Sequence, residues 1–313
     1  MSRFIGWVAA LALAAFGNAQ ATALKVAYNQ WAGFAPVFVA AEKGYFKAEG
    51  VEVELVAFPG PADSVPPLLA GHLDVSLTTP DSIIPANDKE LQTVAVMVLD
   101  ASHGGDGIVA KPGIKTVADL KGKRIAVTEG EVNHLLLMLA LEKAGLSGKD
   151  VQLTNMNADD AGAAFIAGRL DAAVTWEPWL SNARSQGAGN ILFTSADAPG
   201  MLIDVAVVTP KTLSARRAEL AAFARAVDRG LMELRKNPQA SNALAGKWLG
   251  IAGDEVAGML EGIRLYGAKE NAQLFGGEIG QSFVKIQQFL VSQGRTAGKA
   301  SAKEMVDGRI FAD

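Results

Sequence analysis

The sequence predicts an α/β protein built as two similar lobes, with a ligand cleft between them and two crossover segments joining them. The first observation is a repeat: Ala70-Gly71-His72-Leu73-Asp74-Val75-Ser76-Leu77-Thr78 returns as Ala167-Gly168-Arg169-Leu170-Asp171-Ala172-Ala173-Val174-Thr175. The second is that the flanks repeat in the same order. Lys25-Val26-Ala27-Tyr28 is echoed by Arg124-Ile125-Ala126-Val127, Glu42-Lys43 by Glu142-Lys143, and Val51-Glu52-Val53 by Val151-Gln152-Leu153. The third is that each copy reads strand, helix ending at Gly, strand, helix, Gly-x-Leu-Asp and strand, the glycine supplying the left-handed residue that follows a helix.

Residues 1–23 read as a signal peptide. Arg3 precedes an apolar run from Phe4 to Phe16, and both Ala19-Gln20-Ala21 and Ala21-Thr22-Ala23 fit a small-x-small cleavage site. The run is too short to span a bilayer. The chain contains no cysteine, which excludes a disulfide scaffold, thiolate metal sites, a cysteine nucleophile and a lipid-anchoring cysteine behind the leader. The expected location is therefore the periplasm of a double-membraned bacterium. A formal net charge of −4, more negative still once Arg3 is removed, argues against nucleic acid and anionic membranes as partners. A monomer that takes a small-molecule ligand is expected.

Leu24–Tyr28 opens the first lobe as a strand. Pro36 suits the first turn of a helix that stops at Gly50. Val51–Phe58 alternates as a strand, and Pro59-Gly60-Pro61 turns the chain. Thr79 stands as N-cap of the next helix, and Gln92–Val98 reads as a buried strand. The glycine-rich stretch Asp100–Gly107 breaks the pattern and marks the first crossing, so residues 24–106 begin lobe one and 107–203 form lobe two. Thr116-Val117-Ala118-Asp119 resembles a capping box. The principal helix of lobe two carries Leu135, Met138, Leu139 and Leu146 at helical spacing, with Glu142 and Lys143 turned outward. Ile203–Thr209 is the returning strand. From Ala215 the pattern is helical throughout, over Arg216–Lys236, Pro238–Trp248, Asp254–Leu265 and Glu278–Ser292, so residues 204–313 complete lobe one. Two crossings restrict motion to opening and closing.

Ligands of such lobes bind beyond the carboxyl ends of the strands, which directs attention to Asn29–Gly33, Thr78–Asp81, His103–Gly107, Thr128–His134, Thr175–Trp179 and Asp204. The candidate ligand-binding residues are Trp31, Thr79, Asp81, Asp106, Glu129, His134, Trp176, Glu177 and Asp204. Carboxylates beside aromatic faces suit a cation, through charge-assisted hydrogen bonds and cation–π contact. Asp81, like Glu131, can also serve the macrodipole at a helix start, whereas Asp106, Glu177 and Asp204 show no capping duty. His72, His103 and His134 share no metal-ligand spacing, and the sequence has no phosphate loop, H-E-x-x-H or G-x-S-x-G. No metal, cofactor or catalysis is expected.

Gly122-Lys123-Arg124-Ile125-Ala126-Val127, Leu141-Glu142-Lys143-Ala144-Gly145-Leu146 and the run from Ala167 to Trp179 resemble the periplasmic binding proteins of nitrate/sulfonate/taurine-type ABC importers. Gly44-Tyr45-Phe46-Lys47-Ala48-Glu49-Gly50-Val51 fits the same family, and the resemblance covers essentially the whole chain after the leader. It implies the two-lobed type II binding-protein fold and delivery of cargo to the transmembrane subunits of an ABC permease. In taurine- and sulfonate-binding relatives the loop before the long helix of lobe two is rich in Ser and Thr. Here it reads Thr128-Glu129-Gly130-Glu131-Val132-Asn133-His134, and its two carboxylates would repel an anion. Asp106 falls where taurine-type relatives place an acid for the ammonium. Gly104-Gly105-Asp106-Gly107-Ile108-Val109, with Trp176-Glu177-Pro178-Trp179, looks like the branch associated with urea- and guanidine-carboxylase systems. The expected ligand is accordingly a small cationic nitrogen compound, guanidinium or amidine-like. The alternatives are a sulfonate, taurine or nitrate within the same family, and, from another class, an enzyme like the thiamine-pyrimidine synthase, whose cysteine-rich motif this chain lacks.

Overall fold

Among the described residues, eleven strands separate into two sheets, and the repeat in the sequence is the repeat in the sheets. The computed structural model describes residues 22–90 and 92–311, so the leader expected over residues 1–23 lies almost wholly outside the described residues. The strands are β1 (Leu24–Tyr28), β2 (Val53–Ala57), β3 (Val75–Thr78), β4 (Val94–Ser102), β5 (Asp106–Ala110), β6 (Arg124–Val127), β7 (Gln152–Asn155), β8 (Ala172–Trp176), β9 (Asn190–Thr194), β10 (Ile203–Val208) and β11 (Ile263–Leu265). The helices of the first half are α1 (Ala35–Glu42), α2 (Tyr45–Ala48), α3 (Val65–Leu69), α4 (Pro80–Asn87), α5 (Val132–Lys143), α6 (Ala158–Ile166) and α7 (Trp179–Ser185). Those of the second are α8 (Pro210–Ala215), α9 (Arg217–Lys236), α10 (Pro238–Leu249), α11 (Gly253–Leu260), α12 (Ala268–Gln273) and α13 (Ile279–Ser292).

The first sheet runs β11-β4-β10-β3-β1-β2 and the second β7-β6-β8-β5-β9. In each, the first strand of a copy lies between the other two, parallel to both: β1 between β2 and β3, β6 between β7 and β8. Val26 pairs Val75 as Ile125 pairs Ala172, so the duplicated residues hold duplicated ladder positions. Each sheet then receives a strand that has crossed over: β5 lies antiparallel to β8, and β10 antiparallel to β3 and β4. The crossings are laced together. Ser102 N donates to Leu202 O at 3.0 Å, Gly104 N donates to Ser195 Oγ at 2.7 Å, and the Ser102 and Ser195 hydroxyls are 2.8 Å apart.

Two readings of the sequence are corrected. The stretch 100–107 is not one loop: β4 runs on through Asp100 and Ala101 to Ser102, β5 begins at Asp106, and only residues 103–105 connect them. The β4 ladder to β10 continues through Asp100, which holds that acid in extended backbone. The C-terminal stretch is also not helical throughout. The helix expected over Asp254–Leu265 stops at Leu260, and β11 adds an antiparallel edge beside β4.

The capping box at Thr116 and Asp119 is present, and Leu135 and Met138 are buried while Glu142 and Lys143 are exposed. The first sheet is covered on one face by α1, α9 and α10 and on the other by α4 and α13, which explains two separate apolar clusters around one sheet. Where α9 crosses α1, Gly230 lets the backbones touch: a Cβ there would fall well inside contact distance of Pro36 O. Gly230→Ala is therefore expected to lower unfolding stability by about 1–3 kcal/mol, the usual cost of overpacking, as a shift of the urea midpoint with unchanged slope.

Candidate functional site

The loops after β1, β3 and β8 and the first turn of α5 meet between the sheets. Asn29, Trp31, Thr79, Val132 and Trp176 line a cavity there, which Ser102, Asp106 and Asp204 close from the side of the crossings. The enclosed space is about 20 Å³, roughly what one water needs. Any larger solute therefore enters only when the lobes part.

Its aromatic walls are fixed by carboxylates. Trp31 Nε1 donates to both oxygens of Asp100, at 3.1 and 3.3 Å. Trp176 Nε1 and Trp179 Nε1 both donate to Asp159 Oδ1, at 2.9 and 2.8 Å. With their N–H groups so engaged, Trp31 and Trp176 meet across the cleft with ring centroids 6.3 Å apart and planes inclined at 57°. Gly33 is required for this: a Cβ at that position would strike the Asp100 carboxylate and the Trp31 indole nitrogen.

The electrostatics are unusual. Asp81, Asp100, Asp106 and Asp204 are all buried, from 0 to 9% exposed. Asp100 and Asp204 face each other as Cα partners across β4 and β10, and their carboxyls share a hydrogen bond, which requires a proton on one of them. Burial, opposed by the Trp31 and Asp204 hydrogen bonds, pushes Asp100 up to about 7. Burial also pushes Asp106 up to about 7, against a hydrogen bond from Ser102 and with help from the Glu177 charge. Asp204 lies well above the carboxylate range because of burial and then of the Asp100 and Asp106 charges. Asp81 is raised to about 6 by burial. Like charges out of water cannot all ionise without a counter-charge, and among the described residues no lysine, arginine or histidine lines this cavity. Asn29 is 5% exposed and its Oδ1 makes no hydrogen bond. The site is therefore rich in acceptors and poor in donors, and a small molecule carrying N–H groups and positive charge would satisfy it.

Of the residues singled out from the sequence, Trp31, Thr79, Asp106, Trp176 and Asp204 come together here. Asp81 and His134 line a separate cavity beside Glu131. Glu129 is exposed, with its backbone N–H donated to Asn155 Oδ1 at 3.0 Å. Thr79 holds the N-cap position of α4, but its hydroxyl is paired with that of Ser82 at 3.2 Å and caps no N–H. Glu177 does have a capping duty, contrary to expectation: it accepts from Ser181 N at 3.0 Å and Ser181 Oγ at 2.9 Å in the first turn of α7. Glu177→Ala is thus expected to cost about 1 kcal/mol of stability and to change ligand affinity less than a substitution at Asp106, as calorimetry and melting on the same variant would show. Asp100, Asp159 and Asn29 were not among the expected ligand residues. For Asp100 the one signal was an acid at the end of the apolar run Val94–Leu99.

Two sheets of matched order, joined by two laced crossings and enclosing a polar cavity, define the two-lobed fold of the periplasmic binding proteins. The alkanesulfonate-binding protein from Xanthomonas axonopodis pv. citri, bound to MOPS, superposes with a TM-score of 0.75 at 20% identity, covering 91% of this chain and 97% of that one. The chain belongs to the NMT1/THI5-like family, whose pattern matches residues 31–241. It is 25% identical over 305 residues to the taurine-binding periplasmic protein of Escherichia coli (strain K12), covering 94% of this chain and 93% of that protein. A protein of Brucella abortus (strain 2308), named only provisionally as a binding protein, is 32% identical over 154 residues, 49% of this chain and 47% of its own length. The chain thus spans about half the length of that curated relative and of similar ones.

Proposed function

We propose that this protein is the periplasmic substrate-binding component of an ABC importer, which captures a small solute between its lobes and presents it to the permease. The fold, the family and a taurine-binding relative along nearly the whole chain support this reading. The same relatives support a binding role over an enzymatic one.

For the ligand, the relatives' names favour the sulfonate or taurine reading over guanidinium, for which they offer nothing. The cavity adds one requirement. Its carboxyls and the unpaired Asn29 Oδ1 demand N–H donors and positive charge, which taurine supplies through its ammonium group and a simple alkanesulfonate or nitrate does not. The reading that satisfies both is an amino-sulfonate of the taurine kind, its ammonium at Asp106 and Asp204. Guanidinium is the second reading, favoured by the absence of any basic side chain among the described residues that line this cavity.

A thermal-shift series with taurine, guanidinium, ethanesulfonate and nitrate at matched ionic strength tests both. A ligand at a hundred times its dissociation constant adds about 2.7 kcal/mol of stability. A rise with taurine or guanidinium alone supports a cationic requirement. A rise with ethanesulfonate or nitrate of equal size removes it.

A further inference from the structure

A second cavity, of about 300 Å³, shares no lining residue with the first. Its floor is apolar: Leu135 and Met138 on α5, and Phe289 on α13. Its charged groups are Asp81, Glu131 and Arg295, with the exposed Lys149 at the rim. Asp81 is only 3% exposed, yet its Oδ2 makes no hydrogen bond, so a buried acceptor stands at this wall without a donor. Arg295 donates to Gly130 O at 2.9 Å and lies 3.1 Å from His134 Nδ1. His134 Nδ1 also accepts from Gly130 N at 3.3 Å, which makes the ring neutral. Burial and then the Arg295 charge hold its pKa below the usual value. The guanidinium fork keeps further N–H groups unused. Burial and then the Asp81 charge raise Glu131 to about 7, so the cavity offers two carboxyl groups that share their charge, two cations and an apolar floor, a set that matches a molecule bearing both charges.

We propose that this cavity is a second binding site, for a zwitterion on an apolar frame such as an α-amino acid with a branched or aromatic side chain. The ammonium meets Asp81 Oδ2, the acid group meets Arg295 and Lys149, and the side chain lies along Leu135, Met138 and Phe289. The site is built from both lobes: Met138 of α5 belongs to the core of the second sheet, α4 and α13 line that of the first, and Leu135 and Phe289 pack where the two meet. An occupant therefore binds the closed form best and raises affinity in the first cavity, and the coupling is reciprocal. Only this coupling rests on the function proposed above.

The test is calorimetry on the mature protein with L-leucine, using isoamylamine and 4-methylpentanoate as probes that each carry one of its charges. Leucine is expected to bind at least about tenfold more tightly than either probe, since 4-methylpentanoate leaves the buried Asp81 without a donor and isoamylamine leaves Arg295 and Lys149 without an acid partner. Binding should persist in Asp106→Asn. It should fall at least about tenfold in Gln293→Trp, which fills the cavity from an exposed position at the end of α13, and several-fold in the exposed Lys149→Glu. Leucine should also raise the affinity for taurine or guanidinium several-fold. The site is overturned if leucine does not bind, if the single-charge probes match it, or if Asp106→Asn abolishes its binding while Gln293→Trp spares it. Loss of taurine and guanidinium binding with leucine binding retained would sink the importer-ligand reading and leave this site standing. Leucine binding with no effect on the first cavity would overturn the coupling.

Discussion

Asp106→Asn is expected to weaken capture of a cationic nitrogen ligand by about 30-fold to several thousand-fold, because removing one partner of a buried charge pair costs about 2–5 kcal/mol. The same variant should melt no lower than the parent. In the ligand-free protein the Asp106 carboxyl is 4% exposed and pushed up to about 7 by burial, so its charge is a burden until a cation arrives. An amide of the same shape keeps the packing and discards that burden. Affinity and stability thus move in opposite directions, which separates a ligand contact from a structural one. Calorimetric titration with taurine and guanidinium, alongside a melting curve, reads both. Unchanged affinity for every ligand that shifts the parent would remove Asp106 from the site.

Affinity for such a ligand should also climb steeply between pH 5 and 8. Asp100 and Asp106 hold protons up to about pH 7 and Asp204 beyond it, so a cation that pairs with them displaces protons. Each proton displaced makes the association constant rise about tenfold per pH unit below the carboxyl pKa. The ligand-free protein behaves oppositely. Burial holds the pKa values of Asp81, Asp100, Asp106 and Asp204 above those of the unfolded chain, so at these groups the native state keeps protons that the unfolded state has already released. Their contribution to stability is greatest near pH 4 and declines as pH rises toward about 7, opposed only in part by His134, whose lowered pKa favours the native state as pH rises. The thermal shift produced by the ligand should therefore widen with pH while the ligand-free midpoint falls. A simple anion gives the reverse slope, since it binds the protonated cluster best. The sign of the slope distinguishes the two ligand classes even where affinities are similar.

The repeat was legible in the sequence because its landmarks are local. A glycine after a helix, the Leu-Asp that follows it and the next apolar strand sit within ten residues of each other, and each copy needs the same backbone geometry at those points. Both copies place that strand next to the first strand of its own lobe, β3 beside β1 and β8 beside β6. The strand β11 was not legible. Residues 263–265 continue a helical pattern, and their extended form depends on the edge of β4, which lies far away in the chain.

The same division runs through the site. Trp31, Asp106, Trp176 and Asp204 could be named because strand ends and the loops after them carry function in α/β lobes. Glu177 was misread because its partner, Ser181, is set by how α7 begins. Asp100 was passed over because its meaning comes from two residues distant in sequence, the indole of Trp31 and the carboxyl of Asp204 on the neighbouring strand.

The sequence by itself determined the two-lobed α/β plan, the family resemblance and the acidic, aromatic character of the cleft, all of which follow from residue type and short-range order. Only the tertiary structure decided which acids share a proton, which tryptophan each carboxylate holds, and that the expected ligand residues divide between two cavities. Those facts depend on distances between segments that are remote in the chain, and burial, which sets the charge of each group, exists only once the segments have packed.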